Sequence, residues 1–298
     1  MNKNIIVTGA TGFVGSNLVE FLLSKNYRVN IICRENSDIG NLNHIKTKIN
    51  ICYYDNNITN LISFFKESKA EIVFHLASNF IAEHQSTQIN SLVDSNLTFG
   101  LHVLEAMKET GIKKMVNTGT SWQHYNNNKY SPVCLYAATK QAFEALIQFY
   151  VESENFKVIN LKLFDTYGEN DKRPKLINLL NKFADEQTEL IMTKGEQILN
   201  LVHVSEVCRA YYSCLQILNK DTFNGFKSYK VCNNKSYKLK EVIKLFEKVT
   251  DKKVNVKWGG KPYRKREVMK LWKNGDNLPN WEAKISLEEG LKKYKYLF

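Results

Sequence analysis

A tyrosine and a lysine four residues apart are the pair in this sequence best suited to proton transfer. Tyr136 and Lys140 lie in the segment Tyr-Ala-Ala-Thr-Lys, shortly after Pro132. On a helix, a spacing of four residues puts both side chains on one face, one turn apart. A tyrosine hydroxyl has a pKa of about 10 in water, and a nearby ammonium favours the phenolate and lowers that pKa. The spacing therefore predicts an acid–base catalyst at Tyr136, tuned by Lys140.

A glycine-rich turn near the start of the chain predicts a phosphate-binding site. Gly9, Gly12 and Gly15 are spaced Gly-x-x-Gly-x-x-Gly, between an apolar segment typical of a strand and a segment with helical spacing. Glycine permits a tight turn and lets the backbone approach a pyrophosphate closely. The start of the next helix offers free N–H groups to that anion. We expect a dinucleotide here; the alternative is a turn that only packs a helix against a strand.

The end of the second predicted strand carries the residues that select the coenzyme. A carboxylate at this point hydrogen-bonds the adenosine ribose and favours NAD(H). The sequence has Cys33-Arg34 instead, and the arginine fork suits a phosphate. We expect NADP(H), with Arg34 and Ser37 on its 2′-phosphate. Glu35 is the competing residue that would favour NAD(H), and a solvated surface Arg34 is the other interpretation.

Strand and helix signals alternate through the first 164 residues, which predicts an α/β protein with a Rossmann-type, doubly wound parallel sheet. Six strands are predicted, at 3–8, 28–33, 49–54, 71–77, 114–118 and 158–164. The helices between them are predicted at 14–24, 61–69, 96–109 and 136–151.

The pattern loosens after residue 164 and predicts a smaller C-terminal α/β lobe for the substrate. Helices are expected at 175–184, 206–218 and 239–250, and strands at 198–204 and 229–232. We assign residues 1–165 to the dinucleotide-binding domain, with 198–220 returning to it. Residues 166–197 and 221–298 form the substrate lobe in this interpretation.

The positive charge of the chain is concentrated in its last quarter. The net charge is +12, and residues 221–298 hold 20 Lys and Arg against 9 Asp and Glu. Such a region binds nucleic acid, holds a small anionic substrate or is simply solvated. Few aromatic residues are interleaved with the lysines as base stacking would require, so we expect no nucleic-acid partner.

The remaining composition excludes several classes of protein. The six cysteines have no metal-ligand spacing, so we expect no metal and reduced thiols in the cytoplasm. No apolar run approaches the ~18–20 residues of a membrane-spanning helix, so no membrane partner is expected. The first residues lead directly into a strand-like segment, and we expect no signal peptide.

Further motifs follow in an order that is known from one family. They are His75-Leu76-Ala77, Asn96 at a helix start, Thr118-Gly119-Thr120-Ser121, Leu163-Phe164-Asp165-Thr166-Tyr167-Gly168, the segment 201–207, Tyr263-Arg264-Lys265-Arg266-Glu267 and the closing segment 280–291. With the glycine turn and the Tyr–Lys pair, they cover essentially the full chain. The sequence resembles an extended short-chain dehydrogenase/reductase of the branch that acts on nucleotide-linked sugars.

The resemblance implies a role for each matching position. Tyr136 would exchange the proton, Lys140 would hold the nicotinamide ribose, and Ser121, or alternatively Thr120, would hydrogen-bond the reacting sugar oxygen. The implied cofactor-binding residues, beyond Tyr136, Lys140, Arg34 and Ser37, are Gly9, Thr11, Gly12, Phe13, Val14, Gly15, Asp55, Asn56, Leu76, Ala77, Ser78, Asn96, Thr118 and Phe164. The implied substrate-binding residues are Ser121, Asp165, Thr166, Lys175, Asn200 and Arg264, of which Arg264 would grip the diphosphate. Asn200 stands where the family commonly has an arginine, Asp165 replaces a frequent asparagine, and Asp55-Asn56 is an irregular adenine-binding turn.

The same resemblance narrows the reaction. Dehydratases of this branch have Thr-Asp-Glu where this chain has Ser121-Trp122-Gln123, and neither Trp nor Gln can do the proton work of removing water. Arg34 favours a reductase that exchanges NADP(H), and the segment 118–125 looks like that of enzymes reducing CDP-linked 4-keto-deoxyhexoses. We therefore expect an NADPH-dependent C4-keto reductase of a nucleotide-linked deoxyhexose, in surface-polysaccharide sugar synthesis. The alternatives are an NAD-dependent nucleotide-sugar 4-epimerase and a redox-sensing regulator without chemistry.

The resemblance also bears on assembly. Relatives pair the helices at 96–109 and 136–151 across a two-fold axis in a four-helix contact, so a homodimer is expected. The alternative is that both helix faces pack inside one subunit.

Overall fold

The structure is a computed structural model that describes residues 3–220 and 222–295, with side chains as far as residue 293. Met1 and Asn2, on which the expectation of no signal peptide rests, lie outside these residues. The strands are β1 (Asn4–Thr8), β2 (Arg28–Arg34), β3 (Ile49–Tyr54), β4 (Ile72–His75), β5 (Lys114–Thr120), β6 (Lys157–Leu163), β7 (Asp165–Tyr167), β8 (Leu190–Ile191), β9 (Ile198–Leu199), β10 (Leu201–His203), β11 (Phe226–Val231), β12 (Tyr237–Lys238) and β13 (Val256–Lys257).

The helices alternate with these strands. They are α1 (Phe13–Ser24), α2 (Ile58–Ser68), α3 (Ile89–Val93), α4 (Phe99–Thr110), α5 (Leu135–Glu154), α6 (Leu176–Glu186), α7 (Val204–Leu218), α8 (Leu239–Thr250) and α9 (Leu287–Lys295). A nine-residue 3₁₀ segment at Gly40–Lys48, which the sequence pattern did not predict, leads into β3.

Seven parallel strands form the central sheet, in the order β11-β6-β5-β4-β1-β2-β3. Strands β2 and β3 lie on one side of β1, and the chain then crosses to β4 on the other side. This change in strand order leaves a crevice at the carboxyl ends of β1 and β4, which are parallel neighbours. Helices α1 and α7 cover one face, and α2, α4 and α5 cover the other. The predicted Rossmann-type doubly wound sheet is confirmed.

The C-terminal lobe has a hydrophobic core of its own. Helices α6, α8 and α9 bury Leu180, Phe246 and Leu291 completely, together with residues of β8 and β10. Helix α7, by contrast, packs against α1 in the core of the central sheet. Helix α7 therefore belongs to the hydrophobic core of the central sheet, and the predicted domain boundaries stay a prediction.

Three elements differ from the predictions. The strand expected at 229–232 within the lobe is β11, which runs from Phe226 to Val231 and extends the central sheet beyond β6. The strand expected at 198–204 is split at Asn200 into β9 and β10, which pair with β12 and β7. The helix expected at 96–109 is preceded by α3, and a π-helical turn at Asp94–Thr98 joins α3 to α4. These boundaries depend on pairing between strands that are distant in the sequence and on the π-helical turn. Neither feature has a local sequence signal.

No helix among the described residues combines the length and apolar character that a bilayer crossing requires.

Candidate active site

The glycine turn is built by close backbone contacts that exclude side chains. Gly9 has φ 67°, and a Cβ there would lie 2.6 Å from the amide nitrogen of Ala77. A Cβ on Gly15 would lie 2.1 Å from the carbonyl oxygen of Gly9. These two glycines therefore bring α1 and the chain after β4 against the end of β1. A Cβ on Gly12 would lie no closer than 3.3 Å to any atom beyond its own chain neighbours, so here the absence of a side chain leaves the turn open toward the crevice.

The same turn fits the pyrophosphate of a dinucleotide. Gly12 is the N-cap residue of α1, and no side chain caps this helix end. The first N–H groups of a helix have no intrahelical partner and carry its positive dipole end, which suits an anion. A cavity of about 610 Å³ begins here and runs along the crevice to Tyr136 and Arg264. The residues present thus fit an NAD(P) coenzyme, with Gly9, Gly12, Phe13, Val14 and Gly15 in the cavity wall.

The carboxyl ends of β2 and β3 lie beyond this cavity. Arg34 is exposed, and its amide donates to the hydroxyl of Ser37 at 3.1 Å. Glu35 is exposed as well, so both competing residues reach solvent at the strand end. The Asp55 carboxylate accepts from the amide of Asn57 and the side chain of Asn60, and these hydrogen bonds lower its pKa. Asp55 thus fixes the start of α2, and its contact with adenine stays a prediction, as does that of Asn56.

A buried asparagine shapes the loop after β4. Asn96 lies in the π-helical turn, where its side-chain oxygen accepts from the Ser78 hydroxyl at 3.1 Å and the Asn79 amide at 2.7 Å. Its nitrogen donates to Thr139 on α5 at 3.0 Å. Asn96, which we predicted to bind the cofactor, does not line the cavity, because its polar atoms are engaged with the protein. It positions Ser78, which does line the cavity.

Tyr136 and Lys140 lie on the first two turns of α5 and both line the cavity. Burial raises the pKa of Tyr136 well above 10.0, and a hydrogen bond with Ser78 opposes that rise. Burial lowers the pKa of Lys140 to about 8, while the charge of Glu144 raises it. Desolvation of the phenol is thus the dominant effect on its pKa. The expected lowering of that pKa by Lys140 stays a prediction. Tyr136 is held as a neutral acid.

The turn after β5 separates the two candidate hydroxyls. Thr120 caps the 3₁₀ turn Ser121–Gln123: its hydroxyl accepts from the Trp122 amide at 3.3 Å. The Ser121 hydroxyl has no hydrogen-bond partner in the described part of the chain, and it lines the same cavity as Tyr136. Ser121 is therefore the better placed of the two to contact a reacting oxygen.

The far end of the cavity is aromatic and positively charged. Lys175 lies with Nζ 3.9 Å from the centroid of the Phe80 ring, and the Arg264 guanidinium carbon lies 4.9 Å from that of Trp122. Arg264 also pairs with Glu267 at 2.8 Å. Burial raises the pKa of Asp165, and the positive charges of Lys175 and Arg264 oppose the rise. This end provides cations for an anionic group and apolar rings beside it.

Asn200 does not belong to the cavity wall. Its side chain donates to the carbonyl of Asn233 at 2.8 Å and accepts from the Asn233 amide at 2.7 Å. In this structure the buried amide joins β9 and β10 to a loop of the lobe, and the substrate contact at Asn200 stays a prediction. Of the other predicted residues, Thr11, Ala77, Arg34, Ser37, Asp55 and Asn56 also lie outside the wall, whereas Leu76, Thr118, Thr120, Phe164, Thr166 and Lys175 lie within it.

The sequence analysis missed several cavity residues. Phe80 packs edge-on against Tyr136, with centroids 4.9 Å apart, and also contacts Trp122. The Arg173 guanidinium carbon lies 4.6 Å from the centroid of Phe13, so the loop before α6 reaches the glycine turn. These residues lie in loops without periodic pattern, and only their aromatic or charged character could have marked them. The described residues contain no cluster of His, Cys, Asp or Glu side chains that could hold a metal ion.

A glycine turn at the switch point of a parallel sheet, joined by one cavity to a Tyr-x-x-x-Lys pair, defines an NAD(P)-dependent enzyme of the extended short-chain dehydrogenase/reductase class. The chain belongs to the NAD dependent epimerase/dehydratase family, whose model matches residues 5–226. This settles the expected family and places the chain in its nucleotide-sugar branch.

Individual relatives span the whole chain. It is 29% identical over 298 residues to a CDP-abequose synthase of Salmonella muenchen, covering 98% of this chain and 97% of that one. It is 28% identical over 311 residues to a UDP-glucuronate 4-epimerase of Thermodesulfobacterium geofontis, covering 97% and 94%. The crystal structure of a UDP-glucose-4-epimerase from Stenotrophomonas maltophila with bound NAD and formylated UDP-arabinopyranose is similar in fold. Its TM-score is 0.87 at 17% identity, over 99% of this chain and 97% of that one.

Proposed function

We propose that the protein is an NADPH-dependent reductase that converts the C4 keto group of a CDP-linked deoxyhexose to a hydroxyl. The observation that carries the proposal is that the buried phenol of Tyr136 and the Ser121 side chain line one cavity, where burial raises the pKa of the phenol. Ketone reduction requires a proton donor at the oxygen and a hydrogen-bond donor for the charge developing there. A dehydratase would need an acid and a base at positions 122 and 123 to remove water, and this chain has Trp122 and Gln123 there.

Each residue has a defined task in this reaction. Tyr136 donates its proton to the ketone oxygen, and Ser121 donates a second hydrogen bond to the same atom. Lys140, with a pKa of about 8, is largely charged at neutral pH and suits the ribose hydroxyls of the nicotinamide half and the phenolate left after proton transfer. The reduced nicotinamide, when bound, supplies the electron pair of the reduction as hydride. Arg264 and Lys175 suit the substrate diphosphate.

Arg34 supports NADP(H) over NAD(H). It is exposed at the carboxyl end of β2, beside the strand that leads into the glycine turn, and its amide is tied to Ser37. An arginine fork and a hydroxyl at this point suit the 2′-phosphate of NADP(H). Glu35, one residue further, is the group that would favour NAD(H) instead.

The CDP-linked substrate is proposed from the relatives. The chain is 26–29% identical to three CDP-abequose synthases, and each match spans 89% or more of it. We accordingly place the reaction in the synthesis of surface-polysaccharide deoxysugars. The cytoplasm is the proposed compartment, because all six cysteines are free thiols in the structure.

A nucleotide-sugar 4-epimerase is the second candidate. A UDP-glucuronate 4-epimerase is among the relatives, and solved structures of similar fold hold NAD. An epimerase keeps its coenzyme and returns the hydride to the same sugar, whereas a reductase consumes NADPH in proportion to product.

We also propose a homodimer through α4 and α5. Phe149, on α5, is 61% exposed, so a large apolar ring of this helix faces solvent in a single subunit. A second copy of the same helix pair would cover it. Light scattering on the wild type and on Phe149→Glu tests this: we expect a dimer that the variant converts to a monomer.

The decisive experiment is a coenzyme and substrate panel. NADPH and NADH binding is measured separately, followed by turnover with 4-keto deoxyhexoses linked to CDP, dTDP, GDP and UDP. We expect tighter binding of NADPH, and NADPH consumption equal to the alcohol formed, greatest with the CDP sugar. Interconversion of C4 epimers without net coenzyme consumption would establish the epimerase instead.

A further inference from the structure

A second charged residue, Glu144, continues the line of Tyr136 and Lys140 along α5. Glu144 lies one helical turn beyond Lys140, so the three side chains share one face of the helix. Glu144 is 8% exposed, and its charge raises the pKa of Lys140 against the effect of burial. A carboxylate this deeply buried is rare unless it is paired.

Glu144 is held in place by both the sheet and the Ser121 turn. One carboxylate oxygen lies 3.3 Å from Nζ of Lys162 on β6. The other accepts from Asn160 at 2.9 Å and from Gln123 at 2.6 Å. Gln123, in turn, accepts from the amide of Thr120 at 3.0 Å. These contacts fix the orientation of the Glu144 carboxylate. Through Gln123, they also connect it to the turn that carries Ser121.

The other neighbour of Lys162 carries no charge. His124 lies with Nε2 2.9 Å from Nζ of Lys162, and its ring stacks on Trp272 with centroids 4.0 Å apart. Burial and the charge of Lys162 lower the pKa of His124 to about 4, so the ring is neutral at physiological pH. In the tautomer that satisfies both contacts, Nε2 accepts from Lys162 and Nδ1 donates to the Asn128 carbonyl at 3.1 Å. Charge compensation for the buried ammonium groups thus comes from Glu144.

We propose that Glu144 is a positioning residue that keeps Lys140 positively charged, and so able to bind the coenzyme and support Tyr136, at and above neutral pH. The proposal rests on the function proposed above for Lys140. The competing interpretation is that Glu144 only neutralises Lys162 and anchors α5 to β6. The two differ in what happens to Lys140 when the carboxylate is removed.

Among the titratable groups around Lys140, Glu144 is the one whose negative charge can compensate the ammonium. From its own helix these are Tyr136 and Glu144, and from β4 it is His75, whose pKa burial and the Lys140 charge lower to about 3. Tyr136 and His75 are therefore both neutral at physiological pH. From β6, Lys162 forms an ion pair with the same Glu144 carboxylate whose charge acts on Lys140. Without Lys162, the charge of Glu144 would therefore compensate Lys140 alone.

The experiment measures coenzyme affinity against pH, which needs no sugar substrate. NADPH fluorescence is titrated between pH 7 and 10, with NADH in its place if that is the coenzyme bound. We expect wild-type affinity to fall with a midpoint near 8 as Lys140 loses its proton, and Lys140→Met to lack that midpoint. Glu144→Gln should move the midpoint down by about one pH unit, the usual size of a single nearby charge effect. Glu144→Asp should keep it, as should Glu152→Gln, a matched control on an exposed position of the same helix.

A folded Glu144→Gln protein with an unchanged midpoint would overturn the proposal. If that variant does not fold, Lys162→Gln tests the same idea with the opposite sign: the midpoint should rise, and an unchanged midpoint again counts against Glu144. A wild-type protein that binds coenzyme but reduces none of the keto sugars rejects the proposed function alone, since the binding midpoint remains measurable.

Discussion

Phe80 covers Tyr136: the two rings meet edge to face, with centroids 4.9 Å apart. The ammonium of Lys175 also lies 3.9 Å from the centroid of the Phe80 ring. One side chain from the loop after β4 thus contacts both the Tyr136 ring and a cation of the cavity wall. Burial is the main cause of the raised pKa of Tyr136, and Phe80 is one of the rings packed against it.

Replacing Phe80 by alanine should therefore change the pH dependence of reduction. A proton donor works below its pKa, and better solvation of Tyr136 brings that pKa back toward 10.0. We expect the alkaline limb of kcat that belongs to Tyr136, which lies above the midpoint set by Lys140, to move to lower pH by about one unit. Tyr130→Ala, at an exposed aromatic outside the cavity, is the control and should leave the limb in place. An unshifted limb in Phe80→Ala would mean that this ring does not govern the phenol.

Tyr136→Phe should abolish turnover and leave coenzyme binding nearly intact. The substitution removes the proton donor and keeps the buried ring, and loss of general acid catalysis costs about 10²–10⁴-fold. Steady-state kinetics and NADPH fluorescence on the same preparation measure the two effects. Undiminished turnover would remove Tyr136 from the mechanism.

Arg34→Ala should weaken NADPH binding without affecting NADH. A hydrogen bond to a charged group contributes about 1.5–3 kcal/mol, so we expect the Kd for NADPH to rise by ~10–100-fold. Arg28→Ala is the matched control, because Arg28 is an exposed arginine at the opposite end of the same strand. Equal losses for both coenzymes would show that Arg34 does not read the 2′-phosphate.

Arg264→Gln should raise KM for the nucleotide sugar by ~10–100-fold, because one charged contact to the diphosphate is lost. The adjacent Lys265 is exposed and does not line the cavity, so Lys265→Gln should leave KM unchanged. If both variants behave alike, the effect belongs to the general positive charge of the lobe. Initial rates over a range of sugar concentrations distinguish these outcomes.

Two glycine substitutions test the packing of the turn through stability. Gly9 and Gly111 both have positive φ, 67° and 73°, but only at Gly9 would a Cβ meet backbone, 2.6 Å from Ala77. Gly111→Ala should cost about 1–2 kcal/mol for the left-handed backbone alone. Gly9→Ala should cost a further ~1–3 kcal/mol because the strand ends must move apart. Urea unfolding of the two variants compares them, and equal losses would contradict the close approach.

Sequence reasoning succeeded where the signal is local. The glycine spacing, the four-residue spacing of Tyr136 and Lys140, and the alternation of strands and helices depend on neighbours along the chain. They were sufficient for six of the seven strands of the central sheet, and for the glycine turn and the Tyr–Lys pair in the cavity wall. The direction in which the pKa of Tyr136 shifts could not be predicted, because it depends on burial by segments that are distant in the sequence.

The features that the sequence could not indicate are contacts between distant segments. Asn200 was expected at the substrate, but its amide binds Asn233. Strand β11 pairs with β6, although the intervening chain crosses the lobe. Nothing near Asn96 or Asn200 in the sequence distinguishes a side chain that holds a loop from one that faces a ligand.

The stacking of Trp272 on His124 has a consequence for the evolution of specificity. Trp272 follows Arg264 within the same C-terminal segment, yet its ring abuts the neutral imidazole beside Lys162. A recombinant that exchanged this segment for that of a homologue would alter the contact beside His124 together with Arg264, the residue proposed to bind the diphosphate. Under the proposed function, we therefore expect new substrate preferences to arise by changes that preserve the indole or are accompanied by compensating changes around residues 121–131.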